Sequence, residues 1–185
     1  DSTQLPSEAS EASSLLTTAR RLTHKELLAL SVYRHDDLIG QGGFAAVYGG
    51  VMDGQPVAVK RFSDRISRKN FEREVKALLK LRHERLVPIL AFCSDRRTPA
   101  VVLPKFTALN GGLLKLLRDG EVLLIAAHTA EALAFLHGNR RERSIHRDVK
   151  PGNLLVKTQG EEWELVSAFL TDLGLVTTIF EGRTH

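Results

Sequence analysis

Two short strings in the second half of the chain carry residue types that support polar chemistry. Asp148 lies within residues 145–153, a string that ends at Asn153, and Asp172 follows nineteen residues later. Carboxylate and amide oxygens are preferred ligands of hard divalent cations, so Asn153 and Asp172 form a candidate metal-binding pair. The Asp148 carboxylate could accept a proton from a hydroxyl group. Together the strings predict a site that combines a divalent cation with proton transfer.

A glycine-rich string occupies residues 39–48. Its glycines, Gly40, Gly42 and Gly43, stand between two segments typical of strands. Glycine lets the backbone pass close to a phosphate chain and direct N–H groups at it. The strand–turn–strand setting differs from the dinucleotide-binding fingerprint, in which a helix follows the strand. Taken alone, this pattern fits either a phosphate-binding loop or an ordinary hairpin turn.

A lysine and a glutamate complete the candidate set. Lys60 ends the string 57–60 and shares a strand face with the small residue Ala58, because side chains alternate along a strand. Glu74 falls within the apolar stripe of a predicted helix, where an unpaired carboxylate would be costly. We therefore expect Glu74 to pair with Lys60. The alternative for Lys60 is a solvated side chain at a strand end.

The elements that must position these residues change in type along the chain. From residue 37 to residue 106 the patterns predict a five-stranded antiparallel sheet with one helix, and beyond residue 110 they favour helices. The predicted strands include 44–51 and 56–62, joined by an Asp53-Gly54 turn, then 86–92, 100–106, 154–157 and 164–170. The predicted helices cover 25–30, 70–82, 113–117 and 122–137. The last is so uniformly apolar that we expect it to be buried nearly all round.

Composition excludes several classes of protein. The 185 residues are 43% hydrophobic and 26% charged, which is typical of a globular chain of one or two domains. A single cysteine, Cys93, excludes an intramolecular disulfide framework, favours a cytoplasmic location and is expected to be a core thiol. The net charge is +4, but the arginines are scattered without interleaved aromatic residues, which argues against nucleic acid. No apolar run reaches the roughly 20 residues of a membrane span.

With these motifs in this order, the chain resembles the eukaryotic protein kinases. The likeness covers about residues 22–180. Lys150-Pro151 after Asp148 resembles the serine/threonine type. The strings 25–27, 42–44, 57–61, 81–83 and 110–114 are similar to the Pelle, interleukin-1-receptor-associated and plant receptor-like kinases. The resemblance implies an α+β, bilobal fold: a linker at 1–21, an N-lobe at 22–106 and a partial C-lobe at 107–185.

The resemblance also implies ATP- and Mg²⁺-dependent phosphorylation of protein serine and threonine hydroxyls in intracellular signalling, with an upstream receptor or adaptor as a further partner. In that scheme Lys60 holds phosphates and pairs with Glu74, Asp148 orients the substrate hydroxyl, and Lys150 neutralises the transferring group. Asn153 and Asp172 hold Mg²⁺. The residues expected around the nucleotide are Ile39, Gly40, Gln41, Gly42, Gly43, Phe44, Val47, Ala58, Leu103, Phe106 and Leu155. A buried column is expected from Leu78, Ile89, His146 and Leu173, which gives His146 a structural role.

Two substitutions and the chain end depart from the family pattern. Ala45 replaces the third loop glycine, and Leu173 replaces the commoner phenylalanine. Only residues 173–185 follow Asp172, so we expect a C-lobe that is truncated after the Asp-Leu-Gly motif. Thr177, Thr178 and Thr184 are candidate phosphosites for pairing with Arg147, or ordinary loop residues. The alternatives to an enzyme are a truncated regulatory form that binds nucleotide as a decoy, or an adaptor with a vestigial site.

Overall fold

A six-stranded sheet forms the first half of the chain. The computed structural model describes residues 19–30, 37–43, 45–63, 68–138, 142–160 and 164–180. The strands are β1 (Arg20–Leu22), β2 (Leu38–Gln41), β3 (Ala45–Met52), β4 (Gln55–Phe62), β5 (Ala91–Cys93) and β6 (Ala100–Pro104). Their order across the sheet is β1-β5-β6-β4-β3-β2. Neighbours are antiparallel except β1, which pairs with β5 in parallel.

The sheet corrects two details of the sequence expectation. It has six strands rather than five and is not wholly antiparallel, because β1 begins at Arg20, within the segment expected to be a linker. Three residues with a single buried side chain, Leu22, give no periodic signal, and their partner strand lies some seventy residues away. The strand predicted at 86–92 is wrong in extent, since the ladder begins only at Ala91.

The hairpin turn and the first long helix lie close to where local sequence signals predict them. Asp53 and Gly54 both adopt positive φ, 51° and 77°, between paired Met52 and Gln55, as a two-residue hairpin turn requires. Helix α1 spans His24–Leu30, and α2 spans Arg68–Lys80. The ring of Phe71 on α2 packs edge-on against Phe62 of β4, with centroids 5.3 Å apart.

The second half contains one short helix, one long helix and two small sheets. Helix α3 is Gly111–Leu114 and α4 is Asp119–Gly138. One sheet has the order β10-β9-β7, and the other pairs β11 with β8. These strands are β7 (Thr107–Ala108), β8 (Glu142–Ile145), β9 (Leu154–Gln159), β10 (Glu164–Leu170) and β11 (Thr177–Phe180). Strand β8 is not among the strands predicted from the sequence.

Helix α4 is not buried all round, so that prediction was wrong. Its buried residues follow helical spacing: Ile125, His128, Ala132 and Leu136. Other apolar side chains on it are exposed, including Val122, Leu123 and Phe135. The buried stripe is one helix face wide because β10 and β8 contact only one side of the helix. Within the described ranges, no helix has the length and apolarity needed to cross a bilayer.

One hydrophobic cluster joins the two halves and holds the motifs in place. From the first half it takes Phe62, Phe71 and Leu78, and from the second it takes Leu170 and Leu173. Ile89 belongs to the same cluster, and His146 is buried. The apolar members of the predicted column therefore share one core. Cys93 is fully buried in a second cluster beneath β1, which confirms a core thiol.

Candidate active site

Lys60 lies at the centre of a charged cluster drawn from three elements. On β4 it pairs in register with Val47 of β3 and Val101 of β6, and this fixes its backbone in the middle of the sheet. Its Nζ donates to Glu74 Oε1 of α2 over 2.6 Å and to Asp172 Oδ1 over 2.9 Å. The predicted Lys60–Glu74 pair is therefore present, and Asp172 joins it.

Burial and the neighbouring charges together determine the pKa values in this cluster. Burial by itself lowers the pKa of Lys60, but the charges of Glu74 and Asp172 outweigh it and hold the pKa above its usual value. Burial raises the pKa of Glu74, and Lys60 offsets only part of that effect. The Lys60 ammonium thus pairs with two carboxylates, stays protonated and is held in one position beside the sheet.

Gly174 makes room for this arrangement. A Cβ built at Gly174 would lie 2.8 Å from Glu74 Oε2, closer than real Cβ atoms approach, and 3.4 Å from Asp172 Oδ1. Glycine at 174 therefore lets the Glu74 carboxylate lie against the backbone, and a larger residue would make that carboxylate shift. Asp172 itself adopts a left-handed backbone with φ 65°, and Leu173 is buried directly after it. The Asp-Leu-Gly string thus exposes its carboxylate while anchoring its apolar residue.

The segment after β8 is organised around a buried histidine. His146 Nε2 lies 2.9 Å from the Thr171 carbonyl, and the backbone N–H of Asp148 donates to His146 Nδ1 over 3.3 Å. These partners require the tautomer with its proton on Nε2, because Nδ1 acts as an acceptor. Arg147 adopts φ 72° and donates to Thr177 Oγ1 over 3.1 Å. The structural role expected for His146 agrees with these contacts.

Asp148 is held by residues close to it in sequence. Its Oδ2 accepts from Lys150 Nζ over 2.7 Å and from Asn153 Nδ2 over 2.9 Å. The same Asn153 nitrogen donates to the Asp148 backbone carbonyl over 2.7 Å. The hydrogen bond from Lys150 lowers the pKa of Asp148, and Asn153 adds to the effect. The carboxylate therefore stays ionised and available as a proton acceptor.

The two predicted metal ligands are connected through the backbone. The N–H of Thr171 donates to the Asn153 carbonyl over 3.0 Å, which ties the residue before Asp172 to the string 145–153. Asn153 uses its amide nitrogen on Asp148, so its amide oxygen remains the potential ligand. Asp172 uses Oδ1 on Lys60, and its side chain is 40% exposed. This donor set suits Mg²⁺, which takes one or two protein oxygens and completes its shell with phosphates and water.

No cluster of three or more histidine, cysteine, aspartate or glutamate side chains that could hold a metal occurs in the part of the chain that the structure describes. Two oxygen donors, from Asn153 and Asp172, fit a cation that is shared with a bound phosphate chain.

The glycine-rich string forms the turn between β2 and β3. Gly40 pairs with Val47, and the N–H of Gly42 donates to the Ala45 carbonyl over 2.8 Å. A Cβ at Gly40 or Gly43 would meet no described atom within 4 Å, so internal packing does not demand glycine there. That open space would allow a ligand to approach the backbone closely. Phe44 lies outside the described residues.

The remaining nucleotide-site candidates lie on the six-stranded sheet, on the β10-β9-β7 sheet and in the link between β6 and β7. Ala58 of β4 pairs with Leu103 of β6, and Leu155 lies on β9. Phe106 stacks its ring on Phe169 of β10, with centroids 4.5 Å apart and planes at 1°. Ile39 is largely exposed beside the glycine turn, and Gln41 pairs with Ala46. A shared role of these residues in lining a nucleotide slot stays a prediction.

Sequence reasoning missed three supporting contacts. The Thr171 carbonyl, the Phe169 ring and an ion pair between Lys80 at the end of α2 and Glu142 at the start of β8 all support site residues. None had a local signal, because each joins positions at least 25 residues apart. Gly174, by contrast, stood in the quoted motif, and only its contact was unforeseen.

Comparison with known proteins agrees with this geometry. The protein kinase domain family matches residues 33–184 of the chain. The chain belongs to the protein kinase family. The α+β kinase fold is confirmed, and so is the resemblance to serine/threonine kinases of the plant receptor-like group, as the relatives' names indicate.

Two relatives illustrate the extent of the similarity. A probable LRR receptor-like serine/threonine-protein kinase of Arabidopsis thaliana is 33% identical over 184 residues, which cover 93% of this chain and 20% of the relative. The nodulation receptor kinase of Pisum sativum is 37% identical over 144 residues, covering 71% of this chain and 15% of that protein. The chain thus spans about a fifth of the length of such relatives.

Proposed function

We propose that this chain transfers the γ-phosphoryl group of ATP to serine or threonine hydroxyls of protein substrates, with Mg²⁺. The observation that carries the proposal is the bridging of Glu74 and Asp172 by Lys60, at 2.6 and 2.9 Å. A lysine in that position is a fixed, protonated charge at the open edge of the site. Phosphoryl transfer depends mainly on positioning and charge neutralisation, which this cluster is suited to supply.

Lys60 would bind phosphate oxygens without moving from its place. Glu74 holds the ammonium on one side, and Asp172 is exposed enough to bind a cation on its other oxygen. Asn153 would be the second protein ligand of that cation. When bound, Mg²⁺ would neutralise phosphate charge and help to orient the phosphates for transfer.

Asp148 would orient the acceptor hydroxyl and take its proton. The depressed pKa of Asp148 keeps it ionised, and Oδ1 is left for a substrate because Lys150 and Asn153 donate to Oδ2. The substrate oxygen gains the phosphoryl group as its bond to hydrogen passes to Asp148. The bond from the γ-phosphorus to the bridging oxygen breaks, and ADP leaves. Lys150 stands beside the carboxylate as a countercharge for the transferring group.

The test is transfer from γ-labelled Mg-ATP to a generic protein substrate by the 185-residue chain. Asp148→Asn should reduce transfer by about 10²–10⁴-fold, the usual contribution of a positioned general base. Asp53→Asn, in an exposed turn remote from the site, is the matched control and should leave transfer unchanged. Equal transfer by both variants would contradict the proposal.

A nucleotide-binding regulatory form is the competing outcome of the same experiment. If Mg-ATP raises Tm but no transfer exceeds that of Asp148→Asn, the chain binds nucleotide without catalysing transfer. If Mg-ATP leaves Tm unchanged, neither form of the proposal holds. We further infer a role in intracellular signalling, downstream of a receptor or adaptor, supported by the receptor-like names of the relatives.

A further inference from the structure

A buried histidine on helix α4 stands outside both the string 145–153 and the glycine-rich string. His128 is 7% exposed and lies on the helix face that packs against β10. Its Nδ1 accepts a hydrogen bond from the backbone N–H of Ala168 over 3.2 Å, and Ala168 is itself buried. This contact requires a neutral imidazole with its proton on Nε2, because both ring nitrogens of a protonated histidine are donors.

The hydrogen bond satisfies a backbone group on the outer side of a sheet. Ala168 pairs in register with Val156 of β9, and β10 is an end strand of the β10-β9-β7 sheet. The other side of β10 meets α4 at this point. A buried backbone N–H without an acceptor is costly, so the imidazole of His128 does here what a neighbouring strand does elsewhere.

An arginine joins the same contact from a third element. Arg85 lies in the link between α2 and β5, and its side chain is 21% exposed. Its Nε donates to Oε2 of Glu131, one turn along α4 from His128, over 2.6 Å. Its Nη1 donates to the hydroxyl of Ser167, the residue before Ala168, over 2.9 Å. The histidine, the arginine and their partners therefore hold α4 against β10 as one polar cluster.

The charges nearest His128 favour its neutral form. Burial is the main reason that the pKa of His128 lies below its usual 6.5, and the positive charge of Arg85 acts in the same direction. Glu131 and Glu84 oppose that shift, but the Glu131 carboxylate is already bound by Arg85. His83, in the same link, stacks its ring on α4 about two turns further along.

The two strands that pack on α4 carry their charges at a distance from this contact or in other pairs. Glu164 stands at the exposed start of β10. On β8, Glu142 pairs with Lys80, and Arg143 would oppose a further positive charge. A proton on His128 would therefore be held in a buried place whose nearest carboxylate is already paired.

We propose that His128 is a proton-sensitive lock between α4 and β10, which holds the strand when neutral and releases it when protonated. A proton taken from solvent binds the same Nδ1 lone pair that accepts the hydrogen bond. Its uptake leaves the buried N–H of Ala168 without an acceptor and places a second cation beside Arg85. Strand β10 ends at Leu170, two residues before Asp172, so release loosens the strand that positions this candidate metal ligand. The effect on phosphoryl transfer rests on the proposed function, whereas the lock itself does not.

The lock predicts that mild acidification destabilises the fold. The unfolded chain binds the proton with a pKa near 6.5 and the folded chain only at lower pH. The stabilising contribution is therefore complete above about pH 6.5 and is lost as pH falls through the pKa of the folded chain.

His128→Asn separates this effect from every other pH dependence. The asparagine amide oxygen can accept from Ala168 in place of Nδ1, but it takes up no proton in this range. Denaturant titrations should show that the unfolding equilibrium constant of the unchanged chain, divided by that of the variant, rises at least about threefold from about pH 7.5 to about pH 5.5. His137→Asn, the same change at an exposed position near the end of α4, is the control and should follow the unchanged chain. A ratio for His128→Asn that does not change with pH would overturn the proposal.

Two measurements on the unchanged chain test the lock even if His128→Asn does not fold. Ring ¹⁵N shifts should show His128 neutral, with its proton on Nε2, down to a pH below 6.5. As the ring takes up its proton, the N–H of Ala168 should lose at least about fivefold of its protection from hydrogen exchange. The N–H of Leu109, which donates to the Leu154 carbonyl in the same sheet, should lose less.

Titration of His128 at or above pH 6.5, or unchanged protection of Ala168 once the ring is protonated, would overturn the lock. Neither measurement uses nucleotide or phosphoryl transfer. Failure of the lock therefore leaves the proposed function intact, and a chain that transfers no phosphoryl group can still show the lock.

Discussion

The charged cluster at Lys60 and the string around Asp148 perform neighbouring tasks but are built in opposite ways. Lys60 contacts residues 14 and 112 positions away, and its side chain and that of Glu74 are only 17% and 7% exposed. Asp148 contacts residues two and five positions away, and its partner Lys150 is 55% exposed. The first cluster depends on the whole fold, and the second is largely local.

The difference determines how stability and chemistry are coupled at each place. A buried charge must be neutralised where it lies, because desolvation penalises it strongly once its partner is removed. Removing one partner from the Lys60 cluster should therefore lower both the free energy of unfolding and the rate of phosphoryl transfer. An exposed charge keeps its hydration when its partner is lost. A substitution near Asp148 should therefore change phosphoryl transfer and leave the stability of the fold nearly unchanged.

The largest effect should come from removing the central ammonium. Lys60→Met leaves Glu74 and Asp172 facing each other without a cation. We expect it to lower the free energy of unfolding by about 3 kcal/mol, within the range for one partner taken from a buried pair, and Tm by roughly 6–12 °C. Lys150→Met is the matched control, and its effect on stability should be within about 0.5 kcal/mol. If denaturant titration gives equal losses of the free energy of unfolding for the two variants, the two sites do not differ in how they contribute to stability.

The next effect should come from crowding the same cluster without changing any charge. Gly174→Ala places a methyl group against the Glu74 carboxylate and should cost roughly 1–3 kcal/mol, as overpacking does, with a parallel loss of phosphoryl transfer. Gly152→Ala, in the string around Asp148, is the control because its Cβ would meet nothing within 4 Å. Denaturant titration and transfer rates should both separate the two variants. A neutral Gly174→Ala would mean that Glu74 moves aside freely.

The same contrast explains what could be predicted from sequence. The string around Asp148 is a local unit, so residue types and spacing singled out Asp148 and Asn153, although the hydrogen bonds between them were not predicted. Pairing of Lys60 with Glu74 was also predicted, because a carboxylate in an apolar stripe needs a cation, and the structure shows that pair. The contact between Lys60 and Asp172 was not predicted, since nothing local connects positions 112 residues apart.

The failures of prediction have the same origin. Strand β1 has three residues and one buried side chain, so it exists only because β5 offers a free edge to it. Helix α4 is apolar on faces that nothing in the described part of the chain covers, and composition cannot distinguish a covered face from an open one. Both depend on distant contacts that no window of sequence contains.

A smaller effect concerns the pKa of Asp148, and it tests the string whose contacts are local in sequence. Because Lys150 lowers the pKa of Asp148, Lys150→Met should raise that pKa. The acid limb of the pH dependence of kcat/KM should then move to higher pH, since more protons compete for the base. Lys157→Met, on an exposed position of β9, should leave the limb in place. An unmoved limb in both variants would show that Asn153 alone sets the acidity of Asp148.

The smallest effect belongs to an exposed, local carboxylate far from the site. Glu26 accepts from the N–H and hydroxyl of Thr23 at the start of α1, both over 2.8 Å, and the backbone hydrogen bond is the main reason that its pKa falls from 4.5 to about 2. A folded-state pKa below the unfolded value contributes stability above about pH 4.5 and loses it as pH falls toward 2.

Glu26→Gln should therefore melt below the unchanged chain at pH 7, and the gap between their Tm values should narrow steadily as pH falls from 4.5 to 3. Glu164→Gln, at the exposed start of β10, is the control and should not produce a gap that narrows in this way. A Tm difference that stays constant with pH would mean that the side chain at position 26 stabilises the start of α1 independently of its charge. In that case exposed carboxylates would add little to the pH dependence of this fold, and the buried Lys60 cluster would dominate it.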